Sequence, residues 1–184
     1  MLNGSNLSDA VQNILVKIGC NILKSSYVVE HPDLFNYVCD GSAAGVLQSI
    51  FNIFSSADIM QVSFDSLIAE ERNELRKFLL DPKWYVGHSM DALSLRFCKK
   101  LPIYQVYGKE SSHDSQFSDL ENPRKYLPPL DVPEFILEDI EFIVRSSNTE
   151  EEDILSRYYG VERMGKAEFY KEHVFHRVGE LQAE

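Results

Sequence analysis

Three side chains near the end of the chain, His173, His176 and Glu180, have the residue types and spacing of a metal site. On a helix they fall within about 60° of one another, so two imidazoles and a carboxylate converge as zinc ligands do. The same periodicity sets them opposite the apolar stripe Tyr170, Val174, Val178 and Leu181. That face reads as solvated surface, without the outer layer of hydrogen bonds that orients metal ligands. Ser111-Ser112-His113-Asp114 contains the residue types of a hydrolase triad. Adjacent side chains in a polar loop cannot hold the relay geometry, and no Gly-x-Ser-x-Gly turn occurs. His88-Ser89 and Cys39-Asp40 lack an activating partner. Gly41 to Gly45 opens a helix, which suggests an anion site. The Lys-Ser/Thr ending of a phosphate loop is missing, and Asp40 repels phosphate, so these small residues read as room for close helix packing. The acidic run Glu150–Asp153 has two readings, a favourable helix start or a docking patch for a basic partner. Trp84-Tyr85 is either a satellite core or an exposed anchor. The expectation is a chain with no catalytic, cofactor-binding or metal residue. The alternatives are a small metal-dependent enzyme using His173, His176 and Glu180, and a generic acidic adaptor.

The elements that would position these residues are mostly helical. Ser8 caps a helix in which Val11, Ile14, Leu15, Ile18 and Ile22 recur at helical spacing to about Leu23. Pro32 starts a short helical turn carrying Leu34, Phe35 and Val38. A strongly apolar helix covers 43–54, with Val46, Leu47, Ile50, Phe51 and Phe54 on its core face. Ser63 or Asp65 caps the next, whose stripe is Leu67, Ile68, Leu75, Phe78 and Leu79; Glu70, Glu71, Arg72 and Glu74 take the wet side. Asp81-Pro82 ends it. A short helix follows over 93–100. Ile103 to Tyr107 then has strand composition, a polar loop spans 109–116, and Phe117–Leu120 can return as its partner. Four prolines make 121–133 an extended connector, and 142–144 is a third strand candidate. Thr149-x-x-Glu152 reads as a capping box, Gly160 as the C-cap, and a last helix runs over 166–181. The fold class is mainly α (α+β), a helical body with a small sheet or hairpin in mid-chain. The expected domains are a helical one at 1–100 and a mixed one at 101–184.

Composition excludes several classes. With 184 residues and 44% hydrophobic content the chain is too apolar to be disordered throughout. It can bury roughly 70% of its unfolded surface without a disulfide or metal to hold it. A net charge of −11 argues against nucleic acid, which calls for a basic face. That charge divides unevenly, −2 over 1–100 and −9 over 101–184. Cys20, Cys39 and Cys98 form no Cys-x-x-Cys pair and read as reduced thiols. No apolar run approaches the roughly 20 residues of a membrane span, so no membrane insertion is expected.

The second half also carries an ordered set of motifs. Leu101-Pro102-Ile103-Tyr104 follows a short helix. After a variable loop come Tyr126-Leu127-Pro128-Pro129, Phe142-Ile143-Val144 and Glu152-Asp153-Ile154-Leu155. Tyr159-Gly160-Val161-Glu162-Arg163-Met164 and Glu168 to Phe175 complete the series. This order resembles the repeated regions of the sacsin family of giant cytoplasmic co-chaperones. The likeness is good over 95–184 and weaker over 1–94. It implies large repeats containing ATPase-like modules of the GHKL type, in a protein with ubiquitin-like, J and nucleotide-binding dimerisation domains. The nucleotide motifs of such modules (Glu-x-x-x-Asn, Asp-x-Gly and a glycine-rich lid) are absent here, and Gln12-Asn13 lacks the acidic partner. The implied role is a non-catalytic scaffold or client-interaction segment outside the ATPase-like module, with no cofactor. The implied partners are neighbouring domains of the same chain and client or cytoskeletal proteins. Heat-shock chaperones and the proteasome are implied only through other domains of the parent. The implied setting is the cytoplasm, including the mitochondrial surface, and the length reads as a fragment of a larger protein.

Overall fold

The computed structural model describes residues 1–23, 38–88, 90–107, 116–121, 123–132, 137, 142–146 and 148–175. The chain is mainly helical with a few short strands, and it forms two compact units, Met1–Ile103 and Tyr104–Glu184.

In the first unit α1 (Asp9–Lys17) starts where the Ser8 hydroxyl accepts a hydrogen bond from the Val11 N–H at 3.3 Å. Val11, Ile14 and Leu15 are its buried stripe. The helix does not reach Leu23. Gly19 takes a φ of 100°, open to glycine and strained for other residues, and the chain leaves the helix there. Ile22–Leu23 instead forms β2, parallel to β1 (Leu2–Asn3) in the register Leu2 to Ile22. Cys39 bridges the other edge of β1. A polar-looking lead-in is thus a central strand, with Leu2 fully buried.

Helix α2 (Ala43–Ile53) buries Val46, Leu47 and Ile50 completely. The helix expected from Ser63 or Asp65 begins only at Ala69, and 57–65, which the spacing leaves without an assignment, is a helix of its own. α3 (Ala57–Asp65) is capped by Ser56, and α4 (Ala69–Leu79) begins after Ile68. The Ile68 N–H donates to the Glu71 carboxylate at 2.9 Å, satisfying one orphan donor of the first turn. Glu71 also pairs with Lys17 at 2.7 Å and ties α4 to α1. Arg72 is buried rather than wet. Its guanidinium donates to the Pro102 carbonyl at 3.1 Å and to Asp65 at 3.0 Å. Pro82–Trp84 forms a 3-10 turn fastened to the end of α4. Trp84 Nε1 donates to the Phe78 carbonyl at 2.7 Å, and the Tyr85 hydroxyl to the Leu79 carbonyl at 3.0 Å. Of this pair Tyr85 is core and Trp84 half-buried. α5 (Ala92–Lys99) packs on α2, where Phe51 and Phe97 stack at 4.1 Å.

In the second unit β3 (Tyr104–Val106) and β4 (Gln116–Ser118) pair antiparallel, giving the small mid-chain hairpin. β5 (Tyr126–Leu127) runs parallel to β6 (Glu162–Arg163). The 142–143 segment joins both pairs by single bridges, Ile143 to Val106 and Phe142 to Tyr126. Between them lies α6 (Thr149–Tyr159), closed by Gly160 at φ 69°. Its N-cap is Asn148, one residue before the expected Thr149, and the Asn148 side chain accepts from the Glu150 N–H at 3.0 Å. α7 (Lys166–Phe169) is one turn long and passes into a π-helical turn over Tyr170–Phe175. Leu137, Phe142, Met164 and Phe169 form the core of this unit. No helix of the described residues is long and apolar enough to cross a membrane.

Candidate functional site

Local capping chemistry shapes a cavity of the first unit. At the start of α2 the Asp40 carboxylate accepts from the Ser42 N–H at 3.1 Å and, in a short hydrogen bond, from the Ser42 hydroxyl. Ser42 Oγ accepts in turn from the Gly45 N–H at 3.1 Å. Asp40 therefore folds back over the first turn. A Cβ added at Gly45 would come within 2.2 Å of the Asp40 carbonyl oxygen. The small residues of 41–45 thus accommodate the preceding loop. At the start of α5 the Asp91 carboxylate accepts from the Ser94 N–H at 2.7 Å. That hydrogen bond holds the Asp91 carboxyl below the ordinary aspartate range.

Asp40, Ser42 and Gln48 on one side and Asp91 and Phe97 on the other line a cleft of about 710 Å³, with Trp84 also on its wall. No lysine, arginine or histidine lines it among the described residues. The Lys83 ammonium stands 4.6 Å from the Trp84 ring centroid and is matched by Asp81 at 2.8 Å. The described lining of the cleft combines aromatic surface with carboxylate charge. None of Cys20, Cys39 and Cys98 forms a disulfide. Burial pushes the Cys20 thiol up to about 11, which makes it a poor nucleophile.

The other candidate residues separate widely. His173 is half-buried: its ring stacks on Phe169 at 5.4 Å and meets Phe142 edge-on at 5.0 Å. The π-helical turn carries it around to the aromatic core, away from the wet face that an α-helical spacing gives it. His176 and Glu180 lie outside the described residues, as do Ser111, Ser112, His113, Asp114 and Ser89. Among the described residues no group of three His, Cys, Asp or Glu side chains could hold a metal ion.

One buried charge network was not foreseen. Glu152, only 3% exposed, receives both Arg145 Nε and Nη2 at 2.9 Å and Arg163 Nη2 at 2.7 Å. The hydrogen bond to Glu152 raises the Arg145 pKa above its ordinary value, so this guanidinium is charged. Glu151 is also buried and accepts from the Ser146 hydroxyl at 2.8 Å. Two of the four carboxylates of the acidic run are therefore internal. The signal was present in the periodicity: Glu152 lies three and seven residues before the buried Leu155 and Tyr159, on their face of α6.

Comparison with known proteins identifies no relative. No family model, curated protein or solved structure matches the chain.

Proposed function

We propose that this chain is a non-catalytic scaffold and protein-interaction segment of a sacsin-like giant co-chaperone, lying outside its ATPase-like module. In this reading it serves protein quality control and the organisation of the cytoskeleton and mitochondria, in the cytoplasm and at the mitochondrial surface. Its direct partners are neighbouring domains of the same chain and client or cytoskeletal proteins.

The supporting observation is where the ordered motif residues sit. Leu101, Ile103 and Tyr104 are fully buried, as are Phe142 and Phe169; Leu155, Tyr159, Val161 and Met164 are nearly so. Residues that recur for packing are expected inside, whereas residues that recur for catalysis are expected to converge on a cleft. Such motifs specify a framework. The enzyme alternative draws no support from His173, whose ring is taken up by aromatic contacts.

A client-protection assay tests the reading. The chain is mixed with citrate synthase held near its unfolding temperature, and light scattering follows aggregation with and without Mg-ATP. The expected result is reduced scattering at near-equimolar chain, the same with or without nucleotide. Unchanged scattering at large molar excess of the chain contradicts it.

A further inference from the structure

We draw no further inference here: the strongest candidate, the outward apolar face of α3 with the exposed Ile59 and Val62, carries none, because nothing in the structure shows what covers it.

Discussion

Glu152 is the buried centre of a charge network in the second unit. A carboxylate at 3% exposure is costly unless fully paired, and here two guanidinium groups supply three hydrogen bonds. Glu152→Ala leaves Arg145 without its bidentate partner and should destabilise by about 3 kcal/mol. Arg163 is 47% exposed, so Arg163→Ala should cost no more than about 1 kcal/mol. Urea unfolding of both variants checks the order; equal losses would contradict the geometry. Asp91 makes a pH-dependent contribution. Because its folded-state pKa is lowered, the stability it adds is present above the unfolded value of about 3.9 and disappears as pH falls through the folded one. The difference in urea midpoint between the parent and Asp91→Asn should therefore narrow below about pH 4. Among the cysteines, Cys20 and Cys98 are buried and Cys39 is half-buried. Iodoacetamide at mildly alkaline pH should label Cys39 first and reach Cys20 only on unfolding, which peptide mass mapping would record.

At the scale of elements, two glycines hold the chain in shapes that a side chain would spoil. Gly45→Ala gains helix propensity but drives a Cβ into the Asp40 carbonyl, so α2 should lose about 1–3 kcal/mol. Gly160→Ala, in the left-handed cap of α6, should cost about 1–2 kcal/mol. Thermal unfolding followed by circular dichroism measures both. Much of this layer was legible. The cap at Ser8, the buried face of α2, the hairpin of β3 and β4, and the Gly160 cap all follow from patterns within a few residues. What escaped depends on distant partners. Leu2–Asn3 is a strand because Ile22–Leu23 and Cys39 flank it, and no local pattern of two residues can announce that. Arg72 is buried because the Pro102 carbonyl, thirty residues away, accepts its hydrogen bond. α3 escaped because only Met60 and Phe64 are buried along it, too short a pattern to announce a helix, and α4 starts at Ala69 rather than near Ser63. The cleft was invisible because Asp40 and Asp91 are fifty-one residues apart, and no local pattern brings them to one cleft.

For the whole molecule, the net charge of −11 takes on a different meaning in each unit. The excess lies over 101–184, yet Glu151 and Glu152 are internal, so the run at 150–153 presents only Glu150 and Asp153 to a partner. The first unit is close to neutral by count but collects two carboxylates around one cleft. Buried aromatic and aliphatic residues occupy many motif positions of the second unit, and of the two cleft carboxylates Asp91 caps α5 while Asp40 accepts from Ser42, the cap of α2. The most direct measurement is nucleotide binding by the intact chain, followed by thermal shift against increasing Mg-ATP with phosphate release recorded in parallel. The account predicts an unchanged melting temperature and no phosphate above the buffer rate. A saturable rise in melting temperature, or turnover that follows protein concentration, would contradict a non-catalytic segment.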